Sequence, residues 1–295
     1  GTFKVVSSEA TKLCLMFSPP LPTVLESQCL LQKVEMAILT MLTVYYGLPK
    51  DQGITLRKFT KATVIGTIES LHTLVKTVKT EKSKGSKAQL QSTGEVWQCC
   101  ECFDDIPKND KDAVLRVINT SSNLVDDVIE EVQEALLDES ADAWDDLDEI
   151  LGQEHNNEDS WSDKDRELLA PCLGLAKACK ACLKKITGAI QSHGDCLVIE
   201  HTADLDDIGD IVEKVSPLLD EMVTGIYPPL KYQDIRTHGD ALSSTLRNLL
   251  ERAKSSHICE EGDSAWLEFL HGAVEHNADK IKEMTLEFVT IPDGT

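Results

Sequence analysis

Between Ile54 and Val78 the apolar residues Val64, Ile68, Leu71, Val75 and Val78 step by four, three, four and three positions. That spacing lays them along one stripe of an α-helix, as in a coiled-coil or bundle seam, and such a stripe needs a long helical partner to cover it. The same rhythm recurs along the chain. Val24 to Tyr46 carries Leu30, Leu31, Val34, Ala37, Ile38, Met41, Leu42 and Tyr45 at three-and-four spacing, and Gly47 with Pro49 stops it. From Asp110 to about Leu137 a longer helix is predicted, with the face Val114, Val117, Ile118, Leu124, Val125, Val128, Ile129, Val132 and Leu136. At 1.5 Å per residue it would be about 40 Å long.

The segment through Phe17 reads as the end of a helix, and the chain, opening on Gly1-Thr2, reads as a trimmed one. Glu81 to Gly94 has linker composition, with Lys, Ser, Gly and Gln, and a short helix is expected around Glu95 to Phe103 before Pro107. Lys76, Lys79, Lys82, Lys84 and Lys87 read as a solvated loop or, alternatively, as a weak nuclear-import patch. In the second half a helix through Leu168, Leu169, Cys172, Leu175, Ala176, Cys179, Leu183, Ile186 and Ile190 is followed by three more, over Leu205–Ile226, Asp234–Ala253 and Asp263–Phe288. Pro217 lies inside the second of the four and should kink it. With only 5% aromatic residues, the composition suits helices better than sheets. The expected architecture is all-α: an N-terminal bundle of four to five helices over 1–137, an acidic linker with an amphipathic helix over 138–162, and a C-terminal four-helix bundle over 163–295.

The acidity of the chain is local. Asp126 to Glu167 holds eighteen acids and two bases, net −16 of the total −22. With a pI near 4.7, direct binding to DNA or RNA is disfavoured, since net charge sets the sign of long-range attraction to phosphate. No apolar run approaches the roughly 20 residues that span a bilayer, so no membrane partner is expected. Within the acidic stretch, Trp144, Leu147, Ile150 and Leu151 fall at helical spacing, opposite Asp142, Asp145, Asp146, Asp148 and Glu149. Such an acidic amphipathic helix suits a groove with a basic rim; the alternatives are a helix folded back on its own bundle or a disordered acid run kept soluble by its charge. Ser160 and Ser162 each precede an Asp by three residues and are candidates for an acid-directed kinase, although Ser162 also fits a helix N-cap in capping-box spacing with Asp165.

Ten cysteines are too few for a disulfide scaffold at this length and point to reduced thiols inside a cell. Cys99, Cys100 and Cys102, with Cys179 and Cys182, suggest zinc at first, but Cys179 and Cys182 share a periodic apolar face, where Cys packs as a small hydrophobe. The eight histidines are scattered, and no HExxH, phosphate-binding loop or GxSxG is present. The reading is therefore non-enzymatic, without cofactor or metal.

Several stretches are distinctive: Val44-Tyr45-Tyr46-Gly47-Leu48-Pro49-Lys50-Asp51-Gln52-Gly53-Ile54-Thr55-Leu56-Arg57-Lys58; Trp161-Ser162 with Asp165-Arg166-Glu167-Leu168; Pro171-Cys172-Leu173; Lys180-Ala181-Cys182-Leu183-Lys184-Lys185-Ile186; Leu205-Asp206-Asp207-Ile208; Ile226-Tyr227-Pro228-Pro229; Lys254 with Ser256-His257; and Asp263-Ser264-Ala265-Trp266. In these, and in their order over nearly the whole chain, the protein resembles the cyclin-D-binding, maternal-Id-like family of dominant-negative helix-loop-helix regulators. The resemblance implies a protein of nucleus and cytoplasm that binds D-type cyclins and helix-loop-helix transcription factors and restrains cell-cycle progression and transcription. It implies cyclin contact in the C-terminal half and no catalytic residues. It also implies a further N-terminal segment, without which the first bundle lacks a helix. No long helix here begins with the basic extension by which helix-loop-helix proteins enter the major groove, so a heterodimer would hold DNA poorly. Helix-loop-helix pairing, however, needs an exposed apolar face, whereas the predicted bundles bury theirs. A different class, a vinculin-like or catenin-like scaffold bridging cytoskeletal or adhesion partners, fits the same run of long helices.

Overall fold

The computed structural model describes residues 1–18, 20–80, 85–142 and 161–289. Among the described residues the regular elements are all helices, and they pack as two compact units, Gly1–Ala113 and Val114–Thr295. The all-α, two-bundle architecture expected from the periodicity is the one observed.

In the first unit, α1 (Thr2–Met16) packs on α2 (Val24–Tyr46) and α4 (Lys87–Glu101), while α3 (Ile54–Thr80) packs on α4 and α2. A capping box starts α2: the Glu26 N–H donates to the Thr23 hydroxyl (3.3 Å) and the Thr23 N–H donates to the Glu26 carboxylate (2.8 Å), supplying partners that the open first turn lacks. The predicted seam of α3 is covered, with Val64, Leu71, Leu74 and Val78 buried and Ile68 and Val75 packed against them. The N-terminus of α3 is capped from a distance. Leu56 N–H donates to the Asp110 carboxylate at 2.9 Å, and Asp110 is the first residue of α5 (Asp110–Asp142).

The linker expected over 81–94 is shorter than its composition suggests, because α4 starts at Lys87. Ser86 caps it by accepting from the Gln89 N–H, and the wholly buried Gln89 side-chain amide donates to the Cys14 carbonyl at 2.8 Å. A long-range polar contact thus holds two turns of helix that local propensity does not favour. Lys76 and Lys79 lie on α3 and Lys87 on α4; Lys82 and Lys84 lie outside the described residues.

The second unit contains α5 from Val114 onward, α6 (Asp163–His193), α7 (Ile199–Val212), α8 (Val215–Thr224), α9 (Tyr232–Ser255) and α10 (Ser264–Val289). The sequence groups the helix from Asp110 with the first bundle; in the structure Val114, Ile118, Val125, Ile129 and Val132 belong to the second core. There Val128, Ile129 and Val132 meet Cys172, Leu173 and Ala176 of α6, and Lys180 pairs with Asp126 at 2.7 Å. Periodicity reveals that a helix has an apolar face, but not which bundle covers it. The predicted helix Leu205–Ile226 is two helices. Pro217 has no N–H and its ring crowds the carbonyl of Glu213, so α7 closes at Val212 and α8 restarts at Val215. Around these elements α9 packs on α6, α7, α8 and α10, and α10 returns along α6. Cys172, Cys179 and Cys182 are buried among Leu175, Leu183 and Ile186, and burial pushes the Cys172 and Cys182 thiols up to about 12 and Cys179 well above its ordinary value. They pack as small apolar side chains. All ten cysteines are free thiols. Among the described residues no helix is long and apolar enough to cross a membrane.

Candidate partner-binding surfaces

The helix α2 buries Leu30, Val34, Ala37 and Met41 against its neighbours. On its other side Leu25, Met36, Leu39 and Tyr46 are spaced by eleven, three and seven residues, which brings them to one stripe. All four are exposed, Leu25 and Tyr46 at 77% and 72%. Beside the stripe, α1 and α2 enclose a groove of about 440 Å³ lined by Val5, Glu9, Cys29, Met36 and Ala37 among others. An exposed apolar helix face of this kind is what a second amphipathic helix needs in order to pair.

At the far end of α2, the segment Val44–Lys58 forms a compact turn. Gly53 adopts φ 109°, and a Cβ there would collide with the Asp110 carboxylate; only glycine enters α3 by this path without strain. Arg57 lies over the Tyr45 ring, 4.8 Å from its centre, and donates to the Leu48 carbonyl at 3.0 Å. Leu48, Pro49, Leu56, Phe103, Ile106 and Pro107 line a hollow of about 160 Å³, the size of one apolar side chain.

In the second unit, Trp161 and Ser162 fix the point where the acidic stretch meets α6. Trp161 is buried, and its indole N–H donates to the Ile226 carbonyl at 2.6 Å. Ser162 is the N-cap of α6, and the capping box with Asp165 forms despite the shorter acid. The exposed Ser162 hydroxyl lies 2.7 Å from the Asp165 carboxylate. Burial alone would raise the Asp165 carboxyl, but hydrogen bonds from Tyr232, the Ser162 hydroxyl and the Ser162 N–H outweigh it and hold the group below its ordinary value. Tyr232 donates to Asp165 at 2.6 Å and stacks on Phe288, while Tyr227 donates to Glu131 at 3.0 Å. Burial, joined by these carboxylates, pushes both phenols up to about 12. They stay protonated at neutral pH and act as donors that fasten the junction, not as bases.

Of the site residues expected from the sequence, Ser162 is thus placed as an accessible cap. Trp144, Leu147, Ile150, Leu151 and Ser160 lie outside the described residues. The stretches Trp161–Leu168 and Ile226–Pro229 are brought into contact through Trp161, 65 residues from Ile226 in sequence. Two features escape the sequence. The outer stripe of α2 is masked because its inner face satisfies the same periodicity. The grouping of Asp195, His201 and His257 has no motif spacing, since two interhelical connections create it.

Comparison with known proteins covers most of the chain. Residues 1–138 match the family model described as Grap2 and cyclin-D-interacting, N-terminal, and residues 137–251 match its C-terminal counterpart. Similar relatives include a cyclin-D1-binding protein 1 homolog of Xenopus laevis, 43% identical over 96% of this chain and 87% of the relative. Another is the homolog of Danio rerio, 40% identical over 95% and 83%. The cyclin-D1-binding protein 1 of Homo sapiens is 35% identical over 95% and 81%. The two family models meet near residue 138, whereas the compact units divide at Ala113, so most of α5 falls within the N-terminal model although it belongs largely to the second unit. The chain belongs to the Grap2 and cyclin-D-interacting protein family.

Proposed function

We propose that this protein is a non-enzymatic interaction regulator that binds D-type cyclins and helix-loop-helix transcription factors and thereby restrains cell-cycle progression and transcription. The observation that carries the cyclin part is the collinear similarity, across 96% of the chain, to a relative named for binding cyclin D1. The C-terminal half is assigned to the cyclin. For helix-loop-helix partners, the support is the stripe Leu25, Met36, Leu39 and Tyr46 on α2, which meets the requirement for an exposed apolar helix. Among the described residues no long helix begins with a basic extension, and the acidity of the chain would hold such a partner away from DNA, because its charge opposes approach to phosphate.

In this reading the protein works in cytoplasm and nucleus, Trp144, Leu147, Ile150 and Leu151 form a further docking element within the connector 138–162, and phosphorylation of Ser160 and Ser162 regulates it. A phosphate on Ser162 would set negative charge beside Asp165 and remove the hydroxyl from the capping box, loosening the start of α6. The test is a pull-down of the full chain with a purified D-type cyclin and, separately, with a helix-loop-helix domain. Binding of both at micromolar concentrations or below is expected. Binding of neither, with co-sedimentation on actin filaments instead, would replace this reading with the scaffold one.

A further inference from the structure

We propose that Asp195, His201 and His257 form a binding site for a divalent transition-metal ion, with Zn²⁺ as the ion it fits. Two of the three residues come from connections and the third from the helix turn that follows one of them. Asp195 lies between α6 and α7, His201 is in the first turn of α7, and His257 is between α9 and α10. Their ligating atoms all lie within 4.8 Å of one another. A tetrahedral zinc ion with bonds of about 2.0–2.2 Å spaces its ligands about 3.4 Å apart, so capture requires the ligand atoms to close by the order of 1 Å and one imidazole to turn, with water completing the shell.

The surroundings resemble those of a built metal site. Asp204 faces His257 Nδ1 at 3.3 Å and is itself held by Arg252 at 2.7 Å; Arg252 also grips Asp207 at 2.7 Å. A carboxylate on one imidazole nitrogen fixes the tautomer, so that Nδ1 carries the proton and the Nε2 lone pair is free for a metal. Nε2 of His257 meets only a long contact from the Asp195 N–H, 3.3 Å, which a metal bond would replace. Asp195 is positioned by the Leu197 N–H and lies 2.9 Å from His201 Nδ1. The converging ligand atoms are those of Asp195, His201 and His257, so the donors on offer are nitrogen and oxygen.

The two imidazoles stack face to face, 3.9 Å between centres and 7° from parallel. A metal bonds in the plane of an imidazole, so one ion cannot serve both rings as stacked. The His257 side chain is only 10% exposed and stays, whereas His201, 32% exposed on a helix's first turn, swings out of the stack to close on the ion. Asp195 and His257 are thus the preformed half of the site and His201 the moving one. Between Asp195 and His201 runs the tip Leu197-Val198-Ile199, whose Leu197 is 90% exposed. Ion binding would pin this apolar tip at both ends and tie it to the α9–α10 connection.

The test uses the full chain, freed of metal with EDTA, held reduced with a non-chelating phosphine and titrated with Zn²⁺ in a calorimeter. One equivalent bound and a rise in melting temperature are expected. His201→Ala should weaken binding at least tenfold and Asp204→Asn about 10–100-fold, with His271→Ala unchanged. With Co²⁺ the spectrum should lack thiolate-to-metal charge transfer. Absence of stoichiometric binding, equal affinity in His201→Ala and Asp195→Asn, or a thiolate band would each overturn the proposal. Should His257→Ala fail to fold, His201→Ala, on the more exposed ring, decides the question.

Discussion

The helices α2 and α6 are both apolar, and they are used differently. α6 buries thirteen of its 31 residues, and none of its large hydrophobic side chains is exposed. In α2 four of 23 residues are buried, while Val24, Leu25, Leu31, Met36, Leu39, Val44 and Tyr46 all stand in water. Hydrophobic content therefore does not determine burial; the number of neighbours does. α6 is flanked by α5, α9 and α10, so every side of its stripe is covered. α2 meets α1 and α3 and presents the remainder outward. Exposed apolar side chains gathered on one helix face are what an interaction surface requires, so the proposed partner pairing is placed on α2, with α6 as scaffold.

The largest effect expected from this contrast is at Leu183, fully buried in the centre of α6. Leu183→Ala should lower unfolding free energy by about 2–5 kcal/mol, read from the denaturant midpoint. The same change at Leu39, 49% exposed, should stay within about 0.5 kcal/mol; a comparable loss at both would erase the distinction. Next is Gly53→Ala, which adds strain at φ 109° and a clash with Asp110. About 2–4 kcal/mol is expected from the two together, with the loss concentrated in first-unit amides by hydrogen exchange. Trp161→Phe keeps an aromatic ring but removes the donor to Ile226 and should cost about 1–2 kcal/mol, confined to the second unit.

Smaller still is Asp165→Asn, worth about 1 kcal/mol as a lost capping partner. Its pH dependence has a definite sign. Asp165 is held below its ordinary value of 3.8 in the folded chain, so its contribution is fully present above about pH 5 and fades as pH falls through the folded value. The stability gap between Asp165→Asn and the parent should therefore be wider at pH 7 than at pH 3, as measured by urea midpoints at the two pH values. A gap that widens on acidification would mean the carboxylate is not the stabilised form.

The same contrast explains what could be read from the sequence. The α3 seam, the α6 core face and the Ser162 cap were legible because each depends on spacing within one segment. The helical turns at Lys87–Gly94 were not, since the Gln89 contact with Cys14 that supports them joins distant positions. The outer face of α2 was hidden because residues of both faces satisfy an apolar pattern, and periodicity does not count neighbours. The attachment of α5 to the second core, and the meeting of Asp195, His201 and His257, depend on packing between segments that carry no local signature of each other. Pro217 was legible as a disturbance, and its missing N–H and ring account for the division between Val212 and Val215.

The most direct test is a paired binding measurement on Met36→Glu/Leu39→Glu, both on the exposed stripe of α2. Affinity for a helix-loop-helix domain and for a D-type cyclin is measured together with the melting temperature. At least a tenfold loss for the helix-loop-helix domain is expected, with cyclin affinity and melting temperature unchanged. Unaltered helix-loop-helix binding, or loss of both partners together with a lowered melting temperature, would contradict the placement of pairing on α2.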